Sequence, residues 1–146
     1  MRRTLHRAGT VAVAAAALLA PALLLAGPAT AEGLSVSVSD ARLVPGGQQV
    51  VLSGSYSCGP FGPGSDYGVV DLTLTRTAKT TVTGYGYLYL TVCDGTPQQW
   101  SSTVDSVGGA FGSGPATVTG SGYACDPAGG PCQSGSFGPT RVRIRR

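Results

Sequence analysis

The longest β-favouring run outside the N-terminal leader of this chain reads Tyr85-Gly86-Tyr87-Leu88-Tyr89-Leu90-Thr91-Val92-Cys93-Asp94-Gly95. Its strict alternation predicts a strand that closes on a cysteine and runs into an Asp-Gly turn. A second alternating run, Val50 to Cys58, also ends on a cysteine, and its inward face carries that cysteine. We interpret the two runs as neighbouring strands that are joined by a disulfide.

The alternation of the central run leaves its orientation open. One face carries Val82, Leu88, Leu90 and Val92, and the other carries Tyr85, Tyr87, Tyr89 and Cys93. If Cys93 points inward, the tyrosines point inward too, unless one extra residue shifts the alternation. We favour a bulge or bend at Gly84 and Gly86, where glycine tolerates it.

Residues 1–31 have the three parts of a secretory signal peptide. They contain three early arginines, an apolar stretch from Val11 to Ala26 and a small-residue site, Ala29-Thr30-Ala31. A membrane anchor is the alternative, but Pro21 interrupts an apolar stretch that is already shorter than the ~20 residues of a spanning helix. We therefore expect cleavage after Ala31, a secreted extracellular protein with no stable membrane insertion, and one domain over 32–146.

The formal net charge of +3 belongs entirely to this leader. Residues 32–146 contain seven basic and seven acidic side chains, so the exported chain is neutral overall. Neutral charge and the lack of a recognition module argue against nucleic-acid binding.

The composition of residues 32–146 predicts an all-β fold. Glycine, serine, threonine and valine are abundant, helix formers are scarce, and no helical apolar period is visible. About seven short strands separated by turn signals indicate an immunoglobulin-like antiparallel β-sandwich, with a small closed barrel as the alternative.

The four cysteines all lie in the exported part, which predicts two disulfides in an oxidising compartment. Three pairings are open to four cysteines. Six Pro- and Gly-rich residues separate Cys125 from Cys132, so local closure is easy, and Cys58 is left to pair with Cys93.

Three segments carry a resemblance to known proteins: 93–100 (Cys-Asp-Gly-Thr-Pro-Gln-Gln-Trp), 114–116 (Gly-Pro-Ala) and 123–125 (Tyr-Ala-Cys). Through them the chain resembles a family of small secreted actinobacterial proteins of unassigned function, which implies export and a β-sandwich and offers no catalytic residues. The chain is also similar to the apoproteins of enediyne chromoproteins, the neocarzinostatin group. Those are seven-strand sandwiches with two disulfides, one closing a short late loop, and the similarity implies a carrier of a small hydrophobic metabolite.

Several catalytic chemistries are excluded because no histidine follows the leader. Neither a Ser-His-Asp or Cys-His arrangement nor a histidine zinc site can form. Lys79 is the only lysine, and Asp66, Asp94 and Asp126 lie in turns, where aspartate caps its own backbone. Paired carboxylates could still hydrolyse a glycoside, with Asp71 and Asp105 completing the candidates. We expect no enzyme, no metal site and no cofactor.

Tyr85, Tyr87 and Tyr89 are the best candidates for a binding site. Three aromatic rings at two-residue spacing form a strip suited to a glycan, a peptide or a small hydrophobic molecule. The alternative is that they only pack across strands or line the core.

Arg141, Arg143 and Arg145 form the only concentration of charge, which Arg146 extends. They could contact an anionic partner, or they could be a solvated edge strand whose charges prevent aggregation. The Cys125–Cys132 loop could instead present a rigid peptide to an extracellular hydrolase, as an inhibitor does. We therefore expect a secreted, non-enzymatic binding module, with a metabolite carrier and a hydrolase inhibitor as the alternatives.

Overall fold

The computed structural model of the chain describes residues 33–146, so the predicted signal peptide and its cleavage site lie outside the described residues. This part of the chain forms seven strands and no helix. The strands are β1 (Ser35–Leu43), β2 (Gln49–Ser57), β3 (Gly68–Thr77), β4 (Thr81–Leu90), β5 (Gln98–Val107), β6 (Gly114–Cys125) and β7 (Cys132–Arg145). Within the same range, no helix long and apolar enough to span a membrane is found.

The seven strands close into a barrel in the order β1-β2-β5-β4-β3-β6-β7. All pairs are antiparallel except the closing pair, in which β1 and β7 run parallel. The all-β class, the seven strands and both disulfides are confirmed. The predicted division into two sheets is not what the pairing shows. Because β3 and β4 pair along their whole length and β1 pairs with both β2 and β7, no break separates one sheet from another.

The disulfide between Cys58 and Cys93 does not join neighbouring strands, and that prediction was wrong. Cys58 follows β2 and Cys93 follows β4, and β5 lies between these two strands. The bridge is formed beyond the strand ends, where two backbone hydrogen bonds accompany it. Gly95 N–H donates to the Cys58 carbonyl at 2.9 Å, and Phe61 N–H donates to the Cys93 carbonyl at 2.9 Å.

The predicted bulge in β4 is absent. The register between β3 and β4 runs without a shift from Gly68–Leu90 to Thr77–Thr81. The change of face occurs later, in the irregular segment between Leu90 and Cys93, because both of these residues are buried although three positions separate them. The Tyr56 hydroxyl holds this segment by accepting hydrogen bonds from the Thr91 and Val92 N–H groups at 3.3 and 3.2 Å.

The glycines of β4 have a different use from the predicted one. Gly84 and Gly86 point inward, where β5 crosses so closely that a Cβ on Gly86 would lie 2.4 Å from the Thr103 carbonyl oxygen. The absence of a side chain lets the β5 backbone approach. The two strands therefore lie close together over the paired part, from Thr83–Val107 to Gly86–Val104.

The core fills the barrel with side chains from every strand. The largest fully buried side chains are Leu52, Leu72, Leu74, Leu90, Ile144, Val50, Val70, Val104, Val118 and Cys93. Cys58, which the alternation placed on the inward face of its run, is buried as well, and so is Trp100. No polar or charged side chain is buried among the described residues.

Removing each disulfide by paired Cys→Ala substitution will separate their contributions to stability. The Cys58–Cys93 loop spans 35 residues and the Cys125–Cys132 loop spans 7. In the chain-entropy model these loops correspond to about 4 and about 2.5 kcal/mol. Urea unfolding followed by circular dichroism is expected to give the larger loss for C58A/C93A, and an equal or larger loss for C125A/C132A would contradict this.

Substituting Gly86→Ala is expected to destabilise the protein by about 1–3 kcal/mol, because the new methyl group overlaps the β5 backbone, which cannot move freely. Gly109→Ala is the matched control, since a Cβ there meets only the Val82 side chain, at 3.6 Å. Thermal unfolding of the two variants measures the difference. Equal melting temperatures would show that β5 is not held against β4.

Candidate functional site

The three tyrosines of β4 lie outside the barrel. Tyr85, Tyr87 and Tyr89 are 54%, 56% and 66% exposed. They alternate with inward residues such as Leu88 and Leu90, so the strand presents a row of rings to solvent. Of the two arrangements that the sequence left open, the structure shows the exposed one.

A groove of about 780 Å³ runs beside the tyrosine row, where β4 and β5 separate. The two strands pair from Thr83–Val107 to Gly86–Val104 and no further, although both continue. The three tyrosines line one side of the groove, and the exposed side chains of Gln99, Ser101 and Thr103 line the other. The Ser102 hydroxyl reaches across and donates a hydrogen bond to the Tyr87 carbonyl, which fixes the width of the narrow end.

On the other side of the tyrosine row, a flat sheet face continues through β3 to β6. The register places Tyr89 next to Val69 and Val69 next to Tyr123, and Tyr123 is 52% exposed. Two residues along each strand, the next row of the same face contains Tyr87, Asp71 and Ser121. Neighbouring strands lie about 4.8 Å apart, so the Asp71 carboxylate is surrounded by tyrosine rings and hydroxyl groups. We call Tyr85, Tyr87, Tyr89, Tyr123 and Asp71 the tyrosine face.

Sequence reasoning identified three residues of this face and missed two. Tyr123 and Asp71 were assigned to strands, but their position beside the β4 tyrosines depends on β3 lying between β4 and β6. Strand order in an antiparallel fold is not visible in local alternation. The signal that could have found Tyr123 was its place among small residues in β6. It is the only aromatic residue of that strand, so no other ring of β6 packs beside it.

The predicted arginine row divides into two parts. Arg145 binds Asp40 of β1 through its Nη2 atom at 2.5 Å and its Nε atom at 3.2 Å, and Arg42 binds the second Asp40 oxygen at 3.1 Å. The hydrogen bond from Arg145, followed by that from Arg42, lowers the pKa of Asp40 below its ordinary value. Arg141 and Arg143 are exposed and line a groove of about 260 Å³ between β1 and β7.

The aspartates of the loops serve their own turns. One Asp94 oxygen accepts hydrogen bonds from the Thr96 hydroxyl at 2.6 Å and the Thr96 N–H at 2.9 Å, and these bonds lower the pKa of Asp94. The Asp126 carboxylate accepts from the Ala128 N–H at 3.0 Å. These contacts are the capping use that the sequence predicted for turn aspartates.

The Cys125–Cys132 loop is exposed and closed on itself. Asp126 N–H donates to the Pro131 carbonyl at 3.1 Å, and Gly129 N–H donates to the Asp126 carbonyl at 3.0 Å. The loop therefore presents a tight turn, whereas an extended segment is what can add to the strand edge of another protein.

Comparison with known proteins yields no relative: the chain matches no family model, no curated protein and no solved structure.

The contact of Asp40 with Arg145 and Arg42 predicts a defined pH dependence. Because the pKa of Asp40 is lowered in the folded protein, its contribution to stability is present above the ordinary range of an aspartate, about pH 4. It is lost as the pH falls through the lowered value. We expect Asp40→Asn to be less stable than the wild type at pH 7, and the difference to shrink as the pH falls below the ordinary range of an aspartate. Chemical unfolding at several pH values measures it.

Asp66→Asn is the matched control, because Asp66 is an exposed aspartate in the loop before β3 and takes part in neither ion pair of Asp40. A difference between wild type and Asp40→Asn that stays constant with pH, or equals that of the control, would show that the closing pair of strands does not depend on this carboxylate.

Proposed function

We propose that the protein is an extracellular, non-enzymatic binding module and that its ligand is a glycan chain held on the tyrosine face and in the adjoining groove. The observation that carries the proposal is the exposure of Tyr85, Tyr87 and Tyr89, which are each more than half exposed beside an open groove. Large rings are normally buried for their apolar area, so a row of them in solvent marks an interaction surface.

The chemistry around the rings supports a sugar ligand. Tyrosine rings offer apolar faces for stacking, while Gln99 and Ser101 in the groove and Asp71 on the neighbouring face offer hydrogen-bond acceptors and donors for hydroxyl groups. A ligand with apolar faces and a rim of hydroxyl groups uses both. The polar wall of the groove argues against a purely hydrophobic molecule, which is held in enclosed, mostly apolar pockets.

A peptide ligand has less support on the tyrosine face. Extended peptides commonly bind by adding to the free edge of a sheet. The face has β3 at its centre, and β3 pairs with β4 on one side and with β6 on the other. The backbone groups of β3 are therefore used within the barrel, and over this strand only side chains remain to contact a ligand.

Export and the relation to immunoglobulin-like domains belong to the same proposal. Two disulfides suit an oxidising compartment, which agrees with the predicted signal peptide. The neighbours β1-β2-β5-β4 and β3-β6-β7 follow the order of the two sheets in an immunoglobulin constant-type sandwich. We infer that the barrel is such a sandwich whose sheets are joined through β3–β4 and β1–β7.

The two other functions have less support from the geometry. A metabolite carrier of the chromoprotein kind needs an enclosed cavity, whereas the interior here is filled by side chains and the groove is open at the surface. A hydrolase inhibitor needs an extended loop, whereas the Cys125–Cys132 loop is a tight turn.

Binding to insoluble polysaccharides tests the proposal directly. Chitin, cellulose and purified bacterial cell-wall sacculi are the probes, and the protein left in the supernatant is measured after sedimentation. We expect retention on at least one probe, and we expect Tyr87→Ala/Tyr89→Ala to weaken it at least about tenfold, because truncating an aromatic anchor of a binding surface commonly costs about 2 kcal/mol.

Val107→Ser is the control, since Val107 is 60% exposed on β5 but is not part of the tyrosine face. It is expected to bind like the wild type. Failure of all three probes to retain the wild type, or equal retention of the double tyrosine variant, would contradict a glycan ligand on this face.

A further inference from the structure

Charges are distributed unevenly along the barrel axis, although Asp40 and Asp105 lie in the half that holds the basic residues. The loops 58–67, 91–97 and 126–131 lie at one end, together with both disulfides, and they carry Asp66, Asp94 and Asp126. We call it the disulfide end, and the opposite end the basic end. All basic residues of the described chain lie in the half toward the basic end: Arg42, Arg76, Lys79, Arg141, Arg143, Arg145 and Arg146.

The seam between β1 and β7 concentrates this positive charge. The two strands pair only at Ala41–Ile144 and Arg42–Arg145, and they diverge between these pairs and the close approach of Gly135 to Leu34. The divergence leaves the 260 Å³ groove, which Val38 and Ser39 of β1 line on one side and Arg141 and Arg143 of β7 line on the other. The closing pair of the barrel is therefore also the edge of a basic groove.

Asp40 is the one carboxylate that lines this groove, and its oxygens already accept hydrogen bonds within the chain. Asp40 accepts hydrogen bonds from Arg145, from Arg42 and from the N–H group of Ala41. Among residues 33–146 these two arginines make all the ion pairs, so Arg141 and Arg143 face the groove without a carboxylate of the same chain. Two exposed guanidinium groups next to a saturated aspartate form an unneutralised site for an anion.

We propose that this seam binds a linear polyanion, a chain that carries phosphate, sulfate or carboxylate groups at regular intervals, and that Arg141 and Arg143 are its contact residues. Arg141 and Arg143 lie on one face of a strand, about 7 Å apart at their Cα atoms. They stand side by side along the groove, so successive groups of a chain fit them better than one small anion does. Guanidinium groups bind phosphate and carboxylate through two parallel hydrogen bonds.

A groove favours a chain over a membrane surface. A bilayer is flat and would meet the exposed tips of the basic end, including Lys79, whereas a single chain can enter between β1 and β7. The half-buried Val38 and Val142 at the seam would contact the uncharged links between anionic groups. This site is independent of the tyrosine face, which lies on β3, β4 and β6.

Titration with long-chain inorganic polyphosphate and with polygalacturonate tests the proposal, with uncharged dextran as the neutral polymer. Isothermal titration calorimetry at 50–200 mM salt is expected to show binding to both polyanions. Arg141→Gln/Arg143→Gln is expected to weaken it at least about tenfold, because both guanidinium groups and their charge-assisted hydrogen bonds to the polymer are lost. Each arginine removed should reduce the slope of log affinity against log salt by about one.

Lys79→Glu is the matched control, because it lowers the net charge by the same two units at the same end of the barrel. Its effect is expected to be about twofold at most, since charges beyond the ~10 Å screening length act weakly. Equal losses for the control and the double arginine variant would overturn the site, as would binding to phosphatidylglycerol vesicles without binding to either polymer. Unchanged polyanion affinity with new aggregation of the double variant would also overturn it and assign the arginines to edge protection.

Discussion

The structure depends on a change of face between Leu90 and Cys93. The cysteine must reach the interior to meet Cys58, and the tyrosines before it must stay outside, although regular alternation would put all of them on one side. Three residues of irregular backbone remove this conflict. Their N–H groups are held by the buried Tyr56, so a side chain of β2 positions the end of β4. A buried disulfide and an exposed aromatic row can therefore be built from one continuous segment.

The same region explains why the groove lies where it does. The glycines of β4 let β5 approach closely at one end of the strand pair, and the disulfide holds the chains together beyond the other end. Between these two constraints β4 follows β3 while β5 follows β2, so the pair opens. The opening gives the tyrosines a polar wall opposite them.

The sequence predicted the local features well and the long-range arrangement poorly. Strand positions, both disulfides and the buried residues of β2 and β3 followed from alternation, turn residues and cysteine spacing. Three features could not be predicted in this way, because they depend on which strands are neighbours. They are the barrel closure, the place of β5 between β2 and β4, and the position of Tyr123 and Asp71 beside the β4 tyrosines. The sequence marked the glycines of β4 as special but could not tell which use they have. A bulge and a close approach by another strand both require the absence of a side chain.

The uneven axial distribution of charge gives the barrel a permanent electric dipole, which the equal numbers of basic and acidic residues over 32–146 conceal. In the field of a negatively charged surface such a body turns before it touches, and the arginine-rich pole leads. The barrel then stands upright with its long sides free and its cross-linked loops pointing away from the surface. A protein of this shape with evenly distributed charges would arrive in every orientation, whereas this one would arrive in a single preferred orientation.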